Sequence, residues 1–172
     1  MSNFEQIKQA ALSGDAEAQF KLGDMYSLGE EIAQDYVESL KWFAKAAEQG
    51  HPQALYNLGI QYAKGLGVEQ DYKKAVEYLF EADKNGDPDA VSTLSWLFAM
   101  GQGFDSTEEE SFKWYMFLAQ KGDADAQNNI GLCYATGRGC IQDDNKAIFW
   151  FRKAAVAGCA DAKENLHLLG VD

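Results

Sequence analysis

Apolar residues return along this chain on two nested periods. Within short segments they recur at i, i+4 and i+8, as in Ala18, Leu22 and Tyr26, which places them on one face of a helix. Between segments the same face recurs every 36 residues: Ala18, Ala54, Ala90, Ala126 and Ala162 hold one slot, and Leu22, Leu58, Leu94, Ile130 and Leu166 another. Two aromatic slots keep the same step, Tyr26, Tyr62, Phe98 and Tyr134, then Trp42, Tyr78, Trp114 and Trp150. Gly14, Gly50, Gly86, Gly122 and Gly158 mark the interval. A fixed period of this length predicts a repeat array, in which each copy buries its apolar face against its neighbours.

The copies run 14–49, 50–85, 86–121 and 122–157, with a C-terminal half-copy or capping helix over 158–172. Residues 1–13 read as a lone second helix, because Phe4, Ile7, Ala10 and Ala11 align with Leu40, Phe43, Ala46 and Ala47. The expectation is one repeat domain over 1–172, all-α, with about ten helices in antiparallel pairs.

In each copy the first helix is bounded by its caps. Pro52 and Pro88 suit the first helical position. The preceding residues Asp15, His51, Asp87, Asp123 and Cys159 are then the N-caps, and aspartate caps well. Gly29, Gly65, Gly101 and Gly137 close the helix, since glycine enters the left-handed region freely. The second helix starts at Asp35, Asp71, Thr107 and Asp143, and Thr107 with Glu110 forms a capping-box pattern. Gly23, Gly59 and Gly131 fall inside the first helix. An interior glycine costs about 1 kcal/mol against alanine, so close approach of the paired helix is expected there. Ser95 in the third copy is still small, whereas His167 in the fifth is not.

The run Gly122-Asp123-Ala124-Asp125-Ala126-Gln127, then Ile130-Gly131, Tyr134, Gly137-Arg138-Gly139, Asp143, Lys146-Ala147 and Lys153-Ala154-Ala155 resembles the Sel1-like repeat, a relative of the tetratricopeptide repeat. The second copy matches nearly as well, through Gly65-Leu66-Gly67-Val68 and Lys74-Ala75. The third copy is the most divergent, and the first has Glu31 in place of the second loop glycine, which predicts a different loop path. The resemblance implies a right-handed α-solenoid.

The net charge of −12 argues against nucleic acid and anionic membrane as partners, since both need a positive field. Much of the acid has a structural use in caps and in first turns such as Glu108 to Glu110, where the helix dipole favours it. The segment Met1 to Gln6 lacks the basic stretch of a leader and no apolar run reaches membrane-spanning length, so a cytoplasmic protein is expected. Cys133, Cys140 and Cys159 form neither a CxxC pair nor a metal-ligand spacing, and reduced thiols are expected. A cysteine-rich branch of the Sel1-like family is linked to penicillin binding. Its bridging slots correspond to Ala47 and Ala54, which are not cysteines, so that enzyme reading is disfavoured.

Neither His51 nor His167 has a ligand-spaced neighbour, and the GxG pairs follow helices rather than strands, so no catalytic residue, metal or cofactor is assigned. The variable positions carry the functional expectation. Resemblance to tetratricopeptide arrays implies that a partner is contacted from first-helix positions facing a concave groove. These are Glu17, Phe20 and Asp24, then Tyr56 and Ile60, then Asp89 and Trp96, then Asp125, Asn128 and Leu132. Tyr56, Ile60, Trp96 and Leu132 would form an apolar strip flanked by acid, suited to a peptide or helix with some Lys or Arg. The expected function is a non-catalytic scaffold or adaptor, a monomer by default. A toxin-immunity, envelope or host-interaction adaptor is the narrower form of the same reading, as the resemblance implies.

Overall fold

Asp15, His51, Asp123 and Cys159 do precede helices, and the caps place nearly every element of the chain. The computed structural model describes residues 3–103 and 107–171; Met1, Ser2 and Asp172, read above within the terminal segments, lie outside them. The chain divides into two compact units, Met1–Gly103 and Phe104–Asp172. The first holds α1 (Asn3–Leu12), α2 (Ala16–Leu28), α3 (Tyr36–Glu48), α4 (Pro52–Lys64), α5 (Tyr72–Lys84) and α6 (Ala90–Ala99). The second holds α7 (Glu108–Gln120), α8 (Ala124–Thr136), α9 (Asp144–Val156) and α10 (Ala160–Leu168). All regular structure among the described residues is helical, an all-α repeat fold.

The caps act as their residue types dictate. Asp15 Oδ1 accepts from the Ala18 N–H at 2.7 Å and Asp123 Oδ1 from the Ala126 N–H at 2.7 Å. In the second helices Asp35, Asp71, Thr107 and Asp143 each accept from a first-turn N–H. Cys159 occupies an N-cap slot without a side-chain cap bond. Gly29, Gly65 and Gly137 end α2, α4 and α8 with φ of 76°, 67° and 75°.

The third copy departs from this plan. Proline at the first helical position predicts a start at Pro88, yet α6 begins at Ala90. Asp87 is buried, and its Oδ1 accepts from the Asp89 N–H at 3.0 Å, closing a turn two residues on instead of capping the helix. Asp89 becomes the N-cap and makes no side-chain cap bond, and the helix ends at Met100, one residue before Gly101.

The interior glycines are explained by packing. A Cβ on Gly23 would lie 2.7 Å from Phe43 Cδ1, one on Gly59 2.7 Å from Leu79 Cγ, and one on Gly131 2.5 Å from Phe151 Cδ1. Phe43, Leu79 and Phe151 are buried in their pairs' cores, so the second helix fills the groove that the missing side chain leaves. The second loop glycine has a separate role. Gly67 packs on the Tyr36 carbonyl, where a Cβ would come within 2.5 Å, and Gly103 does the same on Tyr72. Gly139 sits against the Glu108 carbonyl. Each loop is thereby seated on the start of the preceding copy's second helix.

Glu31 corrects the expectation of a different loop path. It takes φ 62°, the left-handed conformation its glycine counterparts adopt. The bond from the Asp35 N–H to the Tyr26 carbonyl, 2.9 Å, matches those from Asp71 to Tyr62 and from Asp143 to Tyr134. Gln34 donates to the Ser27 carbonyl as Gln70 does to Ala63 and Gln142 to Ala135. The loop keeps its path because these bonds hold it, and a non-glycine residue absorbs the conformational cost.

Candidate partner-binding surface

First-helix side chains of the variable slots divide by what they touch. Glu17, Asp89 and Asp125 are exposed. Glu17 pairs with Lys21 Nζ at 3.1 Å and stands 3.1 Å from His51 Nε2. Because His51 Nδ1 accepts from the Ala54 N–H at 3.3 Å, the ring proton sits on Nε2 and points at Glu17. Hydrogen bonds from His51 and then Lys21 hold the Glu17 carboxyl below its ordinary value.

In the second slot Phe20, Tyr56 and Asn128 each meet the next copy, whereas Ser92 is exposed and donates to the Asp89 carbonyl at 2.8 Å. Phe20 stacks on the His51 ring of the next copy, centroids 4.6 Å apart. Tyr56 Oη lies 3.3 Å from Thr93 Oγ1. Asn128 is buried, 7% exposed, and its Oδ1 accepts from Asn165 Nδ2 at 2.9 Å. This corrects the reading of Asn128 as a position on a wet surface: Phe20, Tyr56 and Asn128 differ because each pairs differently with the next copy. Tyr56 with Thr93 and Asn128 with Asn165 are complementary residues one position beyond the period, a signal present in the sequence.

The third slot behaves otherwise. Asp24 and Ile60 are half-buried, Trp96 is 59% exposed and Leu132 39%. In the first unit Asp24 lines a cleft of about 210 Å³ with Ile7, Met25 and Glu30. In the second unit Leu132 lines one of about 240 Å³ with Tyr115, Cys133 and Arg138. Those residues are counterparts pair by pair, 108 positions apart, so the same cleft between a second helix and the following first helix recurs with altered chemistry. The first cleft is acidic: burial, then the Glu30 charge, pushes the Asp24 carboxyl above its ordinary value. The second carries an Arg138–Glu108 contact at 3.4 Å, and burial raises the Cys133 thiol. All three cysteines are free. Among the described residues no three His, Cys, Asp or Glu side chains stand where they could hold a metal ion. No described helix is long and apolar enough to cross a membrane.

Residues 16–51, 52–87 and 124–159 each match the Sel1 repeat. The chain belongs to the Sel1 repeat family. The three Sel1 segments leave out the third copy, the one whose first helix departs from the plan. The Sel1 chain is 36% identical to the solved c5321, a protective antigen of uropathogenic Escherichia coli with an SLR fold, at a TM-score of 0.64 over 99% of this chain and 37% of that one. It is 32% identical to a solved Sel1 repeat protein from Oxalobacter formigenes, TM-score 0.63, over 94% of this chain and 66% of that one. A 44-residue stretch, 26% of the chain, is 46% identical to the secretory immunoglobulin A-binding protein EsiB of Escherichia coli O6:H1 and spans 9% of that protein. The Sel1 chain thus covers under two thirds of each of these relatives. Sel1 repeat proteins are generally protein-interaction modules.

Proposed function

We propose that this chain is a non-catalytic adaptor that holds a segment of a partner protein against the third variable slot of its first helices. The observation that carries the reading is Trp96, a large aromatic side chain 59% exposed on α6 in the slot where Ile60 is half-buried on α4. Tryptophan is a favoured binding anchor. In the first unit Tyr56, Ile60 and Trp96 supply apolar contact, with Asp24 in the same slot as Ile60 and Trp96 and with Glu17, Phe20 and Asp89 on the neighbouring slots. The second unit, by itself, offers a separate apolar site at the Leu132 cleft, with Asp125 exposed on α8. The acidic residues favour a partner segment with Lys or Arg, and the steering weakens as salt rises. That one relative is named for binding secretory immunoglobulin A supports a protein ligand in general. A stretch of 44 residues carries the likeness of a module rather than of its partner.

The test is capture from native lysate by the intact protein and by Ile60→Lys with Trp96→Lys, read by mass spectrometry, with circular dichroism showing both folded. A partner held by the intact chain and lost by the variant is the expected result. A partner held equally by both overturns the assignment to this slot.

A further inference from the structure

The cleft between α1 and α2 holds a carboxylate with nothing to pair it. Asp24 is half-buried, and its carboxyl makes no hydrogen bond or ion pair among the described residues. Glu30 and Glu31 line the same cleft, are exposed, and are likewise unpaired among the described residues. The one cation on the lining, Lys21, is engaged by Glu17 at 3.1 Å. A carboxylate drawn out of water without a partner costs the folded state free energy, so its retention needs a reason. Burial, then the Glu30 charge, holds the Asp24 carboxyl above its ordinary value, which is the mark of an uncompensated charge.

The fourth copy shows the same cleft with a cation of its own. Arg138 holds the slot of Glu30, Leu132 that of Asp24, Tyr115 that of Ile7 and Thr136 that of Leu28. There the guanidinium is on the lining, its Nε 3.4 Å from Glu108 Oε1, and the slot of Asp24 is apolar. In the first copy an anion stands in place of that cation and a second anion in place of the leucine. The space is of similar size, about 210 Å³ against about 240 Å³. The carboxylates thus face a cation that the described residues do not supply. Ile7 and Leu28, the latter 58% exposed, offer an apolar wall for the stem of a long side chain. A guanidinium suits the cleft better than an ammonium. Its planar fork of donors can serve two carboxylates, and its weaker hydration lowers the cost of entry.

We propose that this cleft takes an arginine side chain of a partner protein, with the guanidinium on Asp24 and Glu30 and the methylene stem along Ile7 and Leu28. The proposal rests on the reading of the third slot as a partner surface, to which Asp24 belongs. It adds α1 and the loop after α2 to that surface.

The probe is arginine blocked at both ends, acetyl-arginine N-methylamide, titrated into the intact protein and followed by NMR at the Asp24 carboxyl and the Leu28 methyls. Acetyl-citrulline N-methylamide keeps the shape and removes the charge. Glu30→Arg installs the fourth copy's cation at an exposed loop position, and circular dichroism shows this variant folded. The expected result is saturable shifts at Asp24 and Leu28 and an Asp24 titration midpoint lowered by the bound cation. Binding should be weaker by roughly tenfold or more for citrulline and for Glu30→Arg, the worth of a hydrogen bond to a charged group. Equal binding of the two probes, equal binding by the two proteins, or an Asp24 carboxyl that does not respond overturns the proposal. Free arginine bound more tightly than the blocked form would mark an amino-acid site and overturns it as well. None of these readouts uses Ile60 or Trp96, so failure of this cleft and failure of the slot reading appear in different experiments.

Discussion

α4 and α6 are the first helices of adjacent copies in one unit, built on the same slots, and they differ at nearly every point of control. α4 has thirteen residues, a proline in its first turn, a His51 cap and a left-handed Gly65 at its end. α6 has ten residues, no side-chain cap and a right-handed Met100 at its end. Gly59 admits Leu79 at close range, whereas the third copy has Ser95 in that slot. Over the same stretch Ile60 is half-buried, while Trp96 and Met100 are 59% and 58% exposed. The copy freed from the repeat's packing rules presents Trp96 and Met100 to solvent from its first helix and that helix's end. Between these two helices, looser control of the ends goes with greater exposure of the variable slot.

The strongest way to break this contrast is at the interior small residue. Gly59→Ala should destabilise by about 1–3 kcal/mol in denaturant unfolding, the range for overpacking a filled core. Ser95→Ala should cost less than about 1 kcal/mol, since a Cβ is already accommodated there. Equal costs would remove the distinction between the copies. A smaller effect is expected at the caps. His51→Ala should lose about 1 kcal/mol, the worth of an N-cap. Asp89→Ala should stay within about 0.5 kcal/mol, because no cap bond is lost. Thermal melts by circular dichroism compare the pair.

The smallest effect sharpens the contrast within the third slot itself, where Asp24 is the charged member. Its folded carboxyl titrates above the ordinary 3.8, mainly through burial. A raised carboxylate pKa means that ionisation costs the folded state stability as pH climbs above 3.8. Asp24→Asn should therefore stabilise at pH 7, and the gain should vanish as pH falls below 3.8. Chemical unfolding across that pH range checks the sign. A gain confined to acid pH would show that the cleft does not desolvate the carboxyl.

Much of the fold was legible because caps and glycines act locally. Asp15, Asp123, Gly65 and Gly137 mark helix ends by their own hydrogen bonds and φ values, which no distant contact overrides. The interior glycines were legible because a costly residue repeated in register implies a close neighbour. Pro88 misled because Asp87 found a nearer N–H, that of Asp89, than the one a helix cap would use. The variable slots were harder. Variation from copy to copy looks the same whether a position meets solvent or meets the next copy. Asn128 and Trp96 both vary, yet one is buried against Asn165 and the other is exposed. The recurring cleft escaped notice because its walls come from two helices of different copies, Ile7 with Asp24 and Tyr115 with Leu132.

The seating of Gly67 on the Tyr36 carbonyl bears on how such chains change length. The contact joins a loop to a helix start 31 residues upstream, and Gly103 meets Tyr72 across the same gap. Excision or duplication of 36 residues, begun at any point of the period, brings an equivalent loop to an equivalent helix start. Recombination between copies can then lengthen or shorten the protein without inventing an interface, whereas an internal deletion that is not a whole number of periods leaves a glycine facing the wrong carbonyl.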